Sequence, residues 1–380
     1  MLFVGFVFVV GGIGGVVMRD RVMPSLVAFF PSLSRMSVFQ DLAGKVTVIE
    51  KTEQLVVRED DSVDAIVSQP STAVVNIITS ETKETNAQIF RTGNSHTGVL
   101  LTNDGLIATY DTFPEISFSQ GSDYAYRVLL FDGSSHEAKL VGRDTFTNLV
   151  FFKIEGTFPA IAFGNSDEAR PGKKLAVIGN SFEEYQNRFS VGVLSQRNKV
   201  FNLSGKTVAS SEKWEGVLDM DLANAGEYIG GPAVNFRGEM VGMFGQTVLD
   251  GKASYFLIPS NGIQESMRLA IERRLDTRAA LGVYYVSLTK ASAFGNGQLV
   301  ARDRGALIYT PSEKSGLAVL SNSPAEKAGL RFGDIVIAVD GKEVNLDNPL
   351  SLAISRFSKG SKVDLLVLRG GAEQVIAVQL

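Results

Sequence analysis

From Leu2 to Met18 the chain is an unbroken run of apolar residues and glycines, 17 positions long, closed by Arg19, Asp20 and Arg21. A run of that length sits at the short end of a membrane-crossing helix, which needs about 20 residues. It predicts a transmembrane anchor over residues 1–21. A second apolar stretch, Leu26 to Phe30, extends the contact with a membrane surface. Residues 22–70 read as a tether: Val46-Thr47-Val48-Ile49 is strand-like, Glu50 to Asp64 is dense in charge, and a short helix is predicted over Ser62–Ser68. The break at Gln69-Pro70-Ser71 precedes Ala73-Val74-Val75-Asn76-Ile77-Ile78, a strong strand signal.

Short strands separated by turn residues then continue to about residue 260: Gly98–Thr102 before Asn103-Asp104-Gly105, Tyr126–Phe131 before Asp132-Gly133, then Leu149–Ile154, and Lys174–Ile178 before Gly179-Asn180. Many short strands without long helices predict a barrel or sandwich. Residues Asn261 to Arg274 switch to helical spacing, with Ile263, Met267, Leu269, Ala270 and Ile271 three and four apart. The remaining hundred or so residues return to strand patterning around a helix predicted near Pro349 to Phe357.

Composition narrows this picture modestly. A chain of 380 residues suits two or three domains. Its 37 basic and 41 acidic residues nearly balance, which gives no argument for a nucleic-acid partner. With 44% hydrophobic residues and 38 glycines it fits a β-rich globular protein. There is no cysteine, so neither a disulfide framework nor a Cys nucleophile is available. No basic segment precedes the apolar run and no A-x-A-like site follows it, which favours an anchor over a cleaved signal peptide. Gly11 and Gly15 have the spacing that brings two helices close, a weak match in so glycine-rich a run. The flanking arginines lie on its C-terminal side, which by the charge rule alone sets the body in the cytoplasm.

Three motifs carry the candidate chemistry: Gly105-Leu106-Ile107-Ala108-Thr109-Tyr110-Asp111-Thr112, Asp144-Thr145-Phe146-Thr147-Asn148-Leu149-Val150, and Glu227-Tyr228-Ile229-Gly230-Gly231-Pro232. Their order, with Phe163-Gly164-Asn165-Ser166-Asp167, Ala176-Val177-Ile178-Gly179-Asn180 and Ser190-Val191-Gly192-Val193-Leu194-Ser195, resembles the HtrA-type branch of trypsin-like serine proteases. The resemblance implies a chymotrypsin-like pair of β-barrels over residues 71–262 and a connecting helix over 263–279. It also implies that the positions of the catalytic His, Asp and Ser are held here by Thr112, Asn148 and Ile229. Isoleucine has no nucleophilic atom, and a serine hydroxyl needs an oriented base beside it. The oxyanion-hole positions read Glu227 and Tyr228 where the family begins with Gly; a carboxylate there opposes a developing oxyanion. The two histidines, His96 and His136, both read as surface or strand residues, with no motif setting a nucleophile beside either.

Residues 280–380 resemble a PDZ domain, on Ala280-Leu281-Gly282-Val283, Ser323-Pro324-Ala325-Glu326-Lys327-Ala328-Gly329-Leu330, Arg331-Phe332-Gly333-Asp334 and the run Ile335 to Lys342. In that reading the N–H groups of Ala280, Leu281, Gly282 and Val283 face a peptide carboxylate. The strand from about Val283 to Leu288 offers an open edge, and Leu350 and Ile354 line the facing helix. Leu281 and Val283 read equally well as core residues.

The whole is thus expected to be all-β dominated: an N-terminal transmembrane helix, a double β-barrel and a C-terminal PDZ domain. The resemblance implies a proteolytically inactive HtrA-like protein that binds C-terminal or unfolded peptide segments of envelope proteins, its body outside the cytoplasm. No cofactor or metal is called for. Two alternatives stay open, an active envelope endopeptidase and a structural subunit paired with an active relative. A homotrimer is also open, since family members often trimerise.

Overall fold

Period-2 alternation and short apolar runs become strands throughout. Val74, Val75, Ile77 and Ile78 are all fully buried, one face inside a barrel and the other against its surroundings. The computed structural model describes residues 59–81, 94–113, 124–181, 186–204, 208–249, 251–289, 293–294, 298–299, 302–311 and 315–380. The anchor expected over 1–21 and the tether up to residue 58 lie outside them. Among the described residues no helix is long and apolar enough to cross a membrane.

The first barrel comprises β1 (Val74–Glu81), β2 (Asn94–Leu100), β3 (Leu106–Tyr110), β4 (Tyr124–Leu129), β5 (Ser135–Asp144) and β6 (Leu149–Lys153), closed in the order β1-β2-β3-β6-β5-β4. The second comprises β7 (Lys174–Ser181), β8 (Gln186–Asn202), β10 (Glu215–Asp221), β11 (Pro232–Val234), β12 (Met240–Leu249) and β13 (Lys252–Pro259), closed in the order β10-β13-β12-β11-β7-β8. Between β8 and β10 lies β9, only Ala209–Ser210, which leaves its own barrel and pairs elsewhere. Closure removes the exposed sheet edges that otherwise invite pairing with other chains.

Two helices brace this body. Helix α1 (Glu59–Ser71) is longer than the turn predicted over Ser62–Ser68 and runs through the expected break, with Pro70 in its last turn. Val67 and Pro70 are buried, and Ile66 packs on the barrel core, so tertiary burial outweighs the hydrogen bond that proline removes. Helix α2 (Ser260–Ile271) buries Ile263, Ser266, Leu269 and Ala270 and ends before Arg273, which takes a φ of 55°.

The last domain is one sheet in the order β21-β20-β18-β17-β14-β9, with β19 against β18. Its strands are β14 (Tyr284–Ser287), β17 (Ala306–Ile308), β18 (Ile335–Val339), β19 (Lys342–Glu343), β20 (Lys362–Arg369) and β21 (Ala372–Gln379). A separate hairpin pairs β15 (Ala293–Phe294) with β16 (Gln298–Leu299). Three short helices complete it: α3 (Ser315–Ala318), α4 (Pro324–Lys327) and α5 (Leu350–Ser355). Strand β20 shows how the pattern dictates packing: Val363, Leu365 and Val367 point into the core while Lys362 and Asp364 face water.

Candidate functional site

A cleft of about 470 Å³ lies between the barrels, lined by Asn94–Thr97, Thr112, Asn180, Gly226, Glu227, Ile229 and Gln246. Thr112 and Ile229 therefore meet in one place, each at the mouth of a different barrel. Asn148 is not among the lining residues. It follows the turn into β6, where its carbonyl accepts from the Asp111 N–H at 2.9 Å. It takes a φ of 55°, a conformation asparagine tolerates better than most residues. Its Nδ2 donates to the Tyr110 hydroxyl at 3.3 Å, and that hydroxyl donates to the Gln246 carbonyl at 2.6 Å. Burial pushes the Tyr110 phenol up to about 12, so it stays a neutral donor.

Gly230 and Thr109 of the motifs serve packing. Gly230 has a φ of 81°, and a Cβ there would lie 2.2 Å from the Thr97 carbonyl oxygen. Thr109 is buried and donates to that same carbonyl at 2.6 Å, tying β3 to β2 behind the cleft. Asp144, at the head of the second motif, is buried as well. Its carboxylate accepts from Ser266 Oγ at 2.7 Å, from the Arg278 guanidinium at 2.8 Å and from the Phe146 N–H at 3.0 Å. It clamps the end of β5 to α2 and to the connection into the last domain.

His96 is the residue that sequence reasoning underrated. It lies inside β2, which starts four residues earlier than the strand predicted from Gly98, and it faces the cleft: its Nδ1 is 2.8 Å from Thr112 Oγ1, and its ring stacks on Phe113 at 3.9 Å. Burial pushes the imidazole down to about 4, so it is neutral at pH 7, and its tautomer sets which partner donates in the pair with Thr112. Among the described residues its buried Nε2 has no hydrogen-bond partner, so no third group orients the ring. The β2–β3 register brings it there: Val99 pairs with Ala108, and counting three residues back along β2 and on past β3 sets His96 beside Asp111 and Thr112. His136 is in β5 and does not line the cleft; its Nε2 is 3.2 Å from Ser134 Oγ.

Glu227 does not aim a free carboxylate into the cleft. It pairs with Arg188 at 2.7 Å, both side chains about half exposed. At the position that the resemblance assigns to an oxyanion donor, the Glu227 N–H donates to the Asn224 carbonyl at 2.9 Å, inside a single 3-10 turn over Ala225–Tyr228. Tyr228 turns away into the core of the second barrel, against Phe244.

The peptide groove of the last domain differs from the open edge expected. Strand β9 already occupies the edge of β14, with Tyr284 opposite Ser210 and Tyr285 opposite Ala209. The N–H groups of Leu281 and Gly282 donate to one oxygen of the Glu212 carboxylate, at 3.0 and 2.7 Å. Gly282 has a φ of 82°, and a Cβ there would lie 2.3 Å from Ser323 Cβ. Leu281, Val283, Leu350 and Ile354 are fully buried, and Ala209 packs in the same core. Ala280 is exposed at the mouth of the loop and makes none of these contacts. The sequence held no signal for this: β9 is two residues long, and Glu212 is some 70 residues from the loop it meets. Among the described residues no cluster of three or more potential metal ligands is present.

Comparison with known families matches residues 90–243 to the trypsin-like peptidase domain and residues 280–380 to the PDZ domain. The chain is 31% identical over 294 residues to a probable periplasmic serine endoprotease DegP-like of Marinomonas sp. (strain MWYL1), covering 75% of this chain and 55% of that one. It is also 31% identical over 280 residues to the DegP-like protein of Chlamydia trachomatis serovar D, covering 72% and 51%. The chain thus spans about half the length of the curated relatives it matches. Among solved structures it is similar to the HtrA-type protease AlgW with tripeptide, with a TM-score of 0.63 and 26% identity over 83% of this chain and 95% of that one.

Proposed function

Because this chain belongs to the HtrA family, which joins a trypsin-like peptidase domain to a PDZ domain, we propose that it is a family member without protease activity. It binds C-terminal or unfolded peptide segments through the PDZ domain, in quality control or scaffolding of envelope proteins. The apolar run Leu2–Met18 anchors it as a single span, with the body outside the cytoplasm, the side on which the DegP-like relatives are named as working. Assembly as a homotrimer belongs to the same reading.

The observation that carries this is the cleft itself. Ile229 and Thr112 both line it, and the family resemblance assigns them the positions of the nucleophile and the base, which neither side chain can serve as. A Glu227 N–H committed to Asn224 adds a second loss, since each oxyanion donor is worth about 3–4 kcal/mol.

One observation favours the rival reading of an active endopeptidase: the hydroxyl of Thr112 lies 2.8 Å from an imidazole nitrogen, within hydrogen-bond reach. That pair lacks the rest of a working site. An imidazole pushed down to about 4 is a poor base near neutral pH, and its second nitrogen meets no carboxylate. Asp111, the nearest acid in sequence, pairs with Arg143 at 2.7 Å.

The test is to incubate the protein with casein and, separately, with a fluorophosphonate probe. No hydrolysis and no label are expected. Stoichiometric label on any residue, Thr112 included, defeats the reading.

A further inference from the structure

We propose that the segment Val208–Glu212 is a built-in ligand of the PDZ groove, which an incoming peptide must displace. The proposal rests on the peptide-binding reading above and identifies what competes with the peptide.

Every requirement for strand-adding recognition is met from within the chain. Backbone pairing is supplied by β9 along the edge of β14, continued by the Ser211 N–H to the Val283 carbonyl at 3.1 Å. In return the Val283 N–H donates to Ser211 Oγ at 3.0 Å. The terminal carboxylate is supplied by a side chain: Glu212 accepts from both Leu281 and Gly282, and Ser210 and Ser211 donate to its two oxygens at 3.0 and 2.7 Å. The anchoring side chain is Ala209, buried with Tyr285, Leu350 and Ile354. It lies two residues before Ser211, so it shares that residue's face of the strand.

This arrangement also specifies the ligand. A competing peptide ends at the place of Ser211, where its own carboxylate meets the N–H groups that Glu212 now engages. Two residues earlier it carries a small apolar side chain, because that site is filled by alanine. Two residues of strand pairing, the Ser211–Val283 contacts, one small buried side chain and one carboxylate hold the segment, so a peptide that adds further pairing beyond Ala209 can replace it. Charge-assisted hydrogen bonds are the strongest of these contacts and the first to compete for.

The experiment uses the full chain and a fluorescent peptide copying residues 204–211, ending in a free carboxylate, with its amidated twin. Affinity is read by anisotropy, and hydrogen exchange follows the Leu281 and Gly282 amides. Two variants open the groove by different routes: Glu212→Ala removes the internal carboxylate, and Ala209→Arg cannot fit the buried site. Each is expected to bind the free-acid peptide at least about tenfold more tightly than the unaltered chain. Each should also expose the Leu281 and Gly282 amides while β20 stays protected, and the amidated twin should bind all three proteins more weakly. Equal affinity for the unaltered chain and both variants overturns the built-in ligand. Absence of binding to variants whose Leu281 and Gly282 amides have opened overturns the peptide-binding reading instead.

Discussion

Lys213 Nζ donates to Asn148 Oδ1 at 2.7 Å, so the side chain that the family resemblance sets at the orienting-carboxylate position is engaged by a lysine. The same ammonium donates to the Thr145 carbonyl at 2.6 Å. Burial holds its pKa below the usual lysine value, against the pull of Asp144 and Asp111. Its chain neighbour Glu212 reaches the other way, into the PDZ loop. Residues 212 and 213 therefore join the turn before β6 to the PDZ loop across one peptide bond.

Asn148→Asp is expected to leave the protein inactive and somewhat more stable. The new carboxylate meets Lys213 rather than a histidine, because Thr112 offers none. A partly exposed pair of this kind contributes up to about 1 kcal/mol, less in high salt. Denaturant unfolding at low and high salt checks it. A gain in casein hydrolysis, or no salt-dependent gain in stability, counts against this account of position 148.

How much of this was readable in advance follows from the range of each interaction. Runs such as Val74–Ile78 and Leu149–Ile154 declare themselves because burial on both faces demands apolar residues at nearly every position, Asn76 and Lys153 being the exceptions. The motif positions were readable because glycines such as Gly230 answer a local backbone demand. Three features were not. Helix α1 crosses Pro70 because the barrel holds it there, which no local propensity records. His96 meets Thr112 only once the β2–β3 register is set. Glu212 meets the PDZ loop across a domain boundary, and nothing in Ser210-Ser211-Glu212 distinguishes it from an ordinary polar connection.

Restoring the triad by Thr112→His, Asn148→Asp and Ile229→Ser together is expected to give little turnover. Lys213 competes for the restored carboxylate, and the Glu227 N–H remains bound to Asn224. Adding Glu227→Gly frees that turn and should raise kcat by about tenfold or more, part of the range an oxyanion donor supplies. Steady-state kinetics on a chromogenic peptide decide it. A fully active triple variant, unimproved by Glu227→Gly, contradicts the account of the turn.

Asp144→Ala is expected to cost about 3–5 kcal/mol, since it strands the largely buried Arg278 guanidinium and the Ser266 hydroxyl. The double variant Asp144→Ala with Arg278→Met should recover part of the loss, because the stranded charge goes with the arginine. Urea unfolding of the single and double variants measures the coupling. Strictly additive losses would mean that the pair makes no joint contribution.

Glu215 gives the joint between barrel and PDZ domain a pH dependence. The carboxyl is buried and accepts from Ser287 Oγ at 2.5 Å and from the Tyr285 hydroxyl, which also accepts from the Ser351 N–H at 3.2 Å. Burial pushes it up to about 7 from an ordinary 4.5, while the Tyr285 phenol, raised well above its own ordinary value, stays neutral. The pocket beside it carries Asp167, Arg197, Lys199, Asp347 and Arg356. Between the two values the folded chain holds a proton that the unfolded chain has released. This contribution is therefore fully present below about pH 4.5 and is lost as pH rises towards 7, at up to about 1.4 kcal/mol per pH unit. Glu215→Gln keeps an acceptor for the hydroxyls and removes the titration. Chemical unfolding at pH 5, 6, 7 and 8 should show the unaltered chain losing stability relative to Glu215→Gln across that range. Parallel curves for the two proteins would mean that the buried carboxyl is charged at no cost, and that the joint does not respond to pH through this residue.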